Sequence, residues 1–429
     1  MIKNYLYAGV CLGTALLSVD VLAGDATPGL TPIQNGPSVT FSAFGTLGVV
    51  ETNTDNGTYT TGAEKHGATK TADFGPDTKA GAQMDLKFND SFSATVQAFS
   101  KQNALGSYEP DIEWAFAKLK MGEGFDLRLG RMGAPFFMSS DFRNVGYTNL
   151  TVRTPNDVYE AVPVRSYEGG DVLYRGDYGS TTFNGQLWLG RATTLIGQDA
   201  SVYLHNIVGL NISAENGPLT LRLGHMKTRL DATGTGPDIT GLNQLLGGLQ
   251  QLSQVPGLGA LAPMGEDLAV DNKYATFTGV GAILDLGNWV ASAELTKRKT
   301  ESTYVHDTTG WYTTVGYRID KFTPYVSLSG RKTNSVTSYP YPAAIPYLGP
   351  YGVIAQQLVY GVNSQITDET EKTGALGVRW DAGNNYDIKA EFQQIRVPAM
   401  STGSFSIPSG FYSVNTNVNV FSLCVDFVF

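Results

Sequence analysis

The feature that most constrains this chain is a two-residue alternation of apolar and polar side chains, repeated in segments of about ten residues. In 79–88, for example, Ala, Ala, Met, Leu and Phe alternate with Lys, Gly, Gln, Asp and Lys. The same pattern resumes after the turn at Asn89-Asp90 and is still present at 386–395. Successive residues of a β-strand point to opposite faces, so each segment predicts a strand with one apolar and one polar face.

Sixteen such segments are present. They predict strands at 38–50, 78–88, 91–101, 110–120, 125–132, 167–175, 181–191, 201–214, 219–229, 273–286, 289–299, 309–319, 322–332, 373–380, 386–395 and 415–429. Tight turns such as Asn89-Asp90 and Gly287-Asn288 alternate with long connections such as 133–166 and 230–272. An even number of strands with this alternation is typical of transmembrane barrels. We therefore predict an all-β fold, a 16-stranded antiparallel transmembrane β-barrel with long extracellular loops and short periplasmic turns.

Aromatic residues flank most of the short turns on the apolar faces of the strands. They are Phe88, Phe92, Phe125, Phe183, Trp289, Phe322, Trp380, Tyr386 and Phe429. Rings of this kind are favoured at the boundary between lipid and water. The pattern predicts an aromatic girdle at one membrane interface.

The N-terminal residues 1–23 have the features of a cleaved export signal. Lys3 supplies a positive charge, an apolar stretch follows over 5–19, and small residues precede a predicted cleavage after Ala23. The apolar stretch is too short for a transmembrane helix. The barrel is therefore predicted to span 24–429.

Composition narrows the class of function. The chain is rich in glycine (50 residues) and has only 16% charged residues, yet its mean hydropathy is −0.12, as expected for strands between lipid and water. A net charge of −9 argues against nucleic acid as a partner. Beyond the signal only Cys424 remains, so no internal disulfide is expected. We find no nucleophile elbow, metal-ligand spacing or phosphate loop, and we predict no enzyme activity, no metal and no cofactor.

The last strand carries a resemblance to a known family. Its apolar face ends in Phe427 and Phe429, and a terminal aromatic residue in this position resembles the assembly signal of outer-membrane barrels. With sixteen strands and a long third loop after Arg131, the chain resembles the trimeric porins of Gram-negative bacteria. The resemblance covers the whole mature chain. It implies a homotrimer in the outer membrane, in contact with lipid and lipopolysaccharide, through which small hydrophilic solutes and ions diffuse.

The resemblance also implies a pore constriction where the third loop, 133–166, folds inward. The residues predicted to form it are Lys79, Lys87, Lys118 and Arg128 of the wall, Arg131 at the loop entrance, and Asp141, Arg153, Asp157, Glu160 and Arg165 of the loop. Opposed charges across a narrow aqueous path create a transverse field that favours polar solutes. The loop is mixed in sign, so the ion preference stays open.

Three other features leave alternatives open. Small outward residues on the early strands predict a subunit interface: Ala80, Ala82, Ala94, Ala98, Ala115 and Ala117. Leucines at helical spacing in 238–254 predict an amphipathic helix over the pore mouth, which either gates the pore or packs on neighbouring loops. Tyrosines and prolines alternate in 339–351 and either stack on a solute or stiffen the loop. The alternative functions are a substrate-selective outer-membrane channel and a barrel hydrolase.

Overall fold

The computed structural model describes residues 37–197, 199–235, 237–334, 338–366, 368–407, 410 and 412–429, together with the backbone of Val19–Asp20. The predicted signal peptide lies outside the described residues apart from those two, whose backbone pairs with Phe41 and Thr40.

Sixteen long strands form one antiparallel sheet that closes on itself. They are β1 (Ser38–Thr52), β2 (Lys79–Lys87), β3 (Phe92–Lys101), β4 (Asp111–Gly122), β5 (Phe125–Gly133), β6 (Ser166–Tyr178), β7 (Thr181–Gly197), β8 (Ala200–Asn216), β9 (Leu219–Gly234), β10 (Lys273–Leu286), β11 (Trp289–Thr300), β12 (Thr308–Tyr317), β13 (Phe322–Thr333), β14 (Glu371–Trp380), β15 (Tyr386–Val397) and β16 (Thr416–Val428). Each strand pairs with the next, and β16 pairs with β1, where Phe427 lies opposite Gly45. The predicted 16-stranded antiparallel barrel is confirmed.

The strand ends differ most from the prediction at β7 and β9. These strands extend to 197 and to 234, because both pair with the start of β8 beyond the point where the alternation of apolar and polar residues had ended. Elsewhere the observed bounds lie within two or three residues of the predicted ones.

The alternation divides the side chains between the two faces of the wall. In β16, Phe421 and Leu423 are exposed on the outside, whereas Ser422 and Cys424 are buried inside. The aromatic residues predicted beside the short turns are exposed on the outside, and most of them contact a second aromatic ring. Ring centroids are 5.2 Å apart for Phe88 and Phe92, for instance. The geometric part of the girdle prediction is confirmed, and we call this end of the barrel the short-turn end.

The long loops at the opposite end carry the helices. These are α1 (Asn156–Tyr159), α2 (Pro237–Leu252), α3 (Leu261–Leu268) and α4 (Pro350–Gln365), with short 3-10 turns at Gly146–Thr148 and Ile345–Tyr347. The predicted leucine-rich helix is α2, and it packs with α3 and α4 around the fully buried Leu249, Leu261 and Val359. Among the described residues, none of the helices is long and apolar enough to span a membrane.

Candidate functional site

The third long loop, 133–166, folds into the barrel. Its two ends meet where the Ala134 amide donates to the Arg165 carbonyl over 2.8 Å. Just inside, Phe136 packs edge-on against Trp188 of β7 and Phe277 of β10, with ring centroids 5.8 and 5.6 Å apart. These rings are buried, and edge-to-face packing of aromatic rings is favourable beyond the area it buries. An apolar cluster therefore fixes the first part of the loop to the inner wall.

Charged wall residues hold the main chain of the loop. Lys389 donates to the Gly146 carbonyl (2.7 Å), Arg379 to that of Tyr147 (2.7 Å), and Arg222 to that of Phe136 (3.1 Å). These donors come from β15, β14 and β9, so they hold the loop from one part of the barrel circumference. Hydrogen bonds from charged donors are stronger than those from neutral donors. These three bonds therefore fix the position of the loop main chain against the inner wall.

Where the loop lies against the wall, position 146 requires glycine. A Cβ added to Gly146 would lie 1.8 Å from Oδ1 of Asp426 and 2.5 Å from Oγ1 of Thr46. The loop main chain approaches the closing strand β16 more closely than any side chain at this position permits.

Arg153 is an anchor of the loop. Its guanidinium donates two bonds to Asp77 (2.8 and 2.6 Å), a third to Ser422 (2.6 Å) and a fourth to Tyr59 (3.2 Å). The Arg153 side chain is 6% exposed and that of Asp77 4%. A fully paired, buried guanidinium presents little charge to a solute, so Arg153 positions the loop.

Two predicted loop carboxyls are also turned toward the wall. Asp157 is buried and accepts hydrogen bonds from Ser329 (2.6 Å) and Thr373 (3.2 Å). Burial raises the pKa of Asp157, against the effect of these bonds and of the Arg331 charge. Burial likewise raises the pKa of Glu160 well above its usual range.

A row of hydrogen bonds crosses five adjacent strands on the inner wall, and we call it the polar row. Arg128 of β5 binds Asp171 with two bonds (2.9 and 2.6 Å), and Gln186 donates to the same carboxylate (2.8 Å). Asn211 donates to Gln186 (3.2 Å), and Arg222 donates to Asn211 (2.8 Å). The row therefore has a guanidinium at each end.

Asp141 faces the polar row from the loop. It is exposed, and its charge acts on both Arg128 and Arg222. The structure thus brings an exposed loop carboxylate into electrostatic range of Arg222, whose hydrogen-bond partners are neutral, and of Arg128, whose charge is offset by Asp171. Opposed charges of this kind produce a transverse field.

The other predicted residues are dispersed along the wall. Lys118 pairs with Asp126 (2.8 Å) and Arg165 with Glu113 (3.8 Å). Lys79 faces inward opposite Lys101, which in turn pairs with Glu64. Lys87 pairs with Asp90 at the short-turn end, far along the strand from the loop. Arg131 lies on the outer face, three residues from the inward Arg128, where its nearest acid is Asp111 at 3.7 Å.

Comparison with known proteins identifies the fold. No protein-family model matches the chain, and no curated protein matches it in sequence. The trimer form of OmpT, an outer membrane protein of Vibrio cholerae, matches it in structure with a TM-score of 0.52 at 11% identity, over 92% of this chain and 100% of its own. The chain has a porin fold. An anion-selective porin from Comamonas acidovorans gives 0.51 at 12% identity, also over 92% and 100% of the two chains.

Several lumen residues of this porin fold were missed by sequence reasoning. Asp171, Gln186, Asn211 and Arg222 complete the polar row, and each occupies an inward position of its strand. The two-residue alternation, applied to every polar residue of β6 to β9, would have identified these four residues as facing inward. Among the described residues, no group of three His, Cys, Asp or Glu side chains is arranged to hold a metal ion.

Proposed function

We propose that the protein is an outer-membrane porin through which small hydrophilic solutes and ions diffuse passively. The observation that carries the proposal is the third loop seated inside a closed barrel, with a charged residue facing a polar wall. The outward side chains of the barrel are apolar and suit lipid, whereas the inward ones hydrogen-bond and suit water.

The constriction we propose lies between Asp141 and the polar row. Lys79 and Lys118 of the wall, Arg165 of the loop, and Glu160 of the loop in its ionised form contribute further charge along the same path. Arg153 and Asp157 set the position of the loop, while Lys87 acts at the short-turn exit. The position of Arg131 on the outer face leaves it outside the proposed path.

The proposal includes the assembled form. Residues 1–23 direct export and 24–429 form the barrel, which assembles as a homotrimer in contact with outer-membrane lipid and lipopolysaccharide. Support comes from the row Ala43, Ala82 and Ala98, which pair across β1, β2 and β3 and leave a flat outer surface. Phe427 and Phe429 are the proposed assembly signal.

Channel recordings test the function. The purified protein is added to a planar bilayer, and liposome swelling is measured with sugars, amino acids and organic acids. We expect stepwise conductance and swelling rates that fall with solute size. Swelling with one solute class alone would support the substrate-selective channel.

Absence of conductance, with turnover of lipid or peptide substrates, would support the barrel hydrolase.

Asp320→Asn, at a short turn outside the proposed path, is the matched control for Asp141→Asn. Only the Asp141 change is expected to alter ion selectivity.

A further inference from the structure

Two of the long loops carry no charge over most of their length. No Asp, Glu, Lys or Arg occurs in 239–265 or in 333–367. Soluble proteins have about 25% of such residues, and this chain as a whole has 16%. The two segments contain most of α2, the first part of α3 and all of α4, which pack together at the long-loop end. We call these three helices the helical cap.

The helical cap is attached to the inside of the barrel. Tyr304, in the loop between β11 and β12, packs both on the buried cluster of the cap and on the apolar cluster that holds the third loop. The Thr303 amide donates to the Asp267 carbonyl (2.8 Å), and the Ser302 hydroxyl donates to the Leu268 carbonyl (3.2 Å). The cap therefore borders the entrance of the proposed solute path.

The tyrosines of the cap differ in what they contact. The main chain of Tyr339 exchanges two hydrogen bonds with the Asn363 side chain (2.7 and 3.0 Å), so Tyr339 stabilises the loop. Tyr360 of α4 is 69% exposed. Among the described residues, its hydroxyl has no hydrogen-bond partner and its ring is in no aromatic pair. Loop stiffness does not account for this ring, which is free to contact a ligand.

Helices α2 and α4 lie side by side and antiparallel. A Cβ added to Gly248 would lie 2.9 Å from Cδ2 of Leu358, and one added to Gly361 would lie 3.1 Å from Cδ1 of Leu245. Sequence numbers thus fall along α2 as they rise along α4. Because glycine has no side chain, the surface between the two helices is shallow at both contacts. We call it the α2–α4 groove.

Primary amides line the α2–α4 groove. Gln244 and Gln251 lie one helical turn on either side of Gly248, and Gln357 lies one turn before Gly361. All three side chains are exposed, and none hydrogen-bonds to the protein among the described residues. An amide both donates and accepts hydrogen bonds. The groove therefore offers uncharged donors and acceptors on both of its sides.

Tyr360 lies beside these amides. It is three residues after Gln357 and seven after Val353, so the three side chains share one face of α4. That face is exposed and points away from Ala355 and Val359, which are fully buried in the cap. Since Gly361 contacts Leu245, the neighbouring Gln244 of α2 lies at nearly the same height as Tyr360.

Charge and polarity decide what occupies the groove. A charged ligand meets no counter-charge on these faces of α2 and α4. An apolar protein surface would bury the amides without partners, which is unfavourable. A sugar satisfies both requirements, because its hydroxyls pair with amides and its apolar C–H face packs on an aromatic ring.

We propose that the α2–α4 groove binds an uncharged oligosaccharide at the barrel entrance, with one sugar ring on Tyr360 and its hydroxyls bonded to Gln244 and Gln357. The inference rests on the proposed function and names its solute class, since the groove holds neutral saccharides where the diffusion path begins. Binding itself does not require an open pore.

Calorimetric titration tests the proposal. The protein is placed in lipid nanodiscs, so that detergent does not cover the groove, and is titrated with cellotriose, maltotriose and raffinose. Trigalacturonic acid serves as a charged trisaccharide. We expect at least one neutral sugar to bind, and trigalacturonic acid to bind at least about tenfold more weakly. Failure of all three neutral sugars to bind, or equal binding of the charged one, would overturn the proposal.

Variants locate the site. Tyr360→Ala with Gln357→Ala is expected to weaken binding at least about tenfold, whereas Tyr360→Phe keeps the ring and most of the affinity. The matched control is Tyr178→Ala, which removes a tyrosine that is 83% exposed at the short-turn end. If the double variant bound as well as this control, or Tyr360→Phe bound as weakly as the double variant, the groove would not be the site. Pairing of two barrels through the groove, lost in the double variant, would assign it to a second copy and overturn the proposal.

Liposome swelling with the same sugars separates this inference from the porin proposal. Saccharide binding without swelling by any solute would count against the porin proposal alone. Swelling without saccharide binding would overturn the groove proposal alone. Swelling by the bound sugar that slows in the double variant, but not in Tyr178→Ala, would support both.

Discussion

The guanidinium of Arg153 and the carboxylate of Asp77 form a two-bond ion pair, at 2.8 and 2.6 Å, that ties the third loop to the residues just before β2. Both side chains are almost fully buried. Removing one partner of a buried pair leaves an uncompensated charge, at a cost of about 3–5 kcal/mol.

We therefore expect Arg153→Met to lower the urea midpoint of unfolding and to expose the loop to protease. Arg165→Met is the control, since Arg165 is partly exposed and lies 3.8 Å from Glu113. Glu113 is buried but also accepts a hydrogen bond from Asn144, so loss of the distant Arg165 contact is expected to cost less than loss of the Arg153 pair. Equal losses for the two variants would show that Arg153 does not anchor the loop.

Ion selectivity distinguishes the two loop aspartates. Asp141 is exposed opposite Arg128 and Arg222, whereas Asp157 is buried with a raised pKa. Asp141→Asn is expected to shift the reversal potential in a salt gradient toward anion preference, and Asp157→Asn to shift it far less. If Asp157→Asn shifted the reversal potential more than Asp141→Asn, the constriction would instead lie near α1, which contains Asp157.

The pH dependence of selectivity follows from Glu160. Because burial raises the pKa of Glu160, this carboxyl takes up a proton at a higher pH than an exposed glutamate does. Protonation removes a negative charge, so lowering the pH toward the usual range of a glutamate is expected to increase anion preference already above that range. In Glu160→Gln that part of the change is absent. A variant with the same pH response as the original protein would exclude Glu160 from the path.

The proposed trimer interface is tested on its small residues. Ala82→Leu and Ala94→Leu add bulk to the outer faces of β2 and β3, and Ala390→Leu adds the same bulk on β15. Heating in detergent followed by electrophoresis gives the temperature at which the oligomer dissociates. We expect a lower temperature for the first two variants only. Three equal temperatures would remove the basis for this interface.

The terminal residue is tested by deletion. Phe429 exchanges backbone hydrogen bonds with Ala43 (2.8 and 2.9 Å), and its ring lies 5.7 Å from that of Phe427. Deletion of Phe429 is expected to reduce the amount of folded barrel in the outer membrane. Phe429→Tyr keeps both the ring and the backbone, and serves as the control. Normal levels of the deleted form would exclude Phe429 from the assembly signal.

The strands were predictable because each one carries its own period-two pattern, as 79–88 and 386–395 show. The same pattern could have placed Arg131 on the outer face, because a residue three positions from the inward Arg128 faces outward. Helix α4 was missed. Its buried residues, such as Ala355 and Val359, contact α2 across a long sequence separation, and the neighbouring tyrosines and prolines favoured a loop.

The candidate site was less predictable, because its partners are distant in sequence. Arg153 finds Asp77 and Ser422, which lie 76 and 269 residues away. Local sequence shows that a loop is charged, but not which of its charges are neutralised by the wall. For that reason the loop acids looked equivalent, and only the structure separates Asp141 from Asp157.

The contacts of Arg153 have a consequence for the order of biogenesis. Ser422 belongs to the last strand, β16, and Asp77 follows the first strand, β1. Arg153 therefore contacts residues on both sides of the β16–β1 pairing that closes the barrel. Gly146 meets Asp426 beside the same pairing. Part of the binding place for the loop is therefore completed only when the final strand has docked, and we expect the loop to take up this part of its position late in folding. On this order a closing barrel is wider than the finished one, and the full narrowing of the pore follows closure.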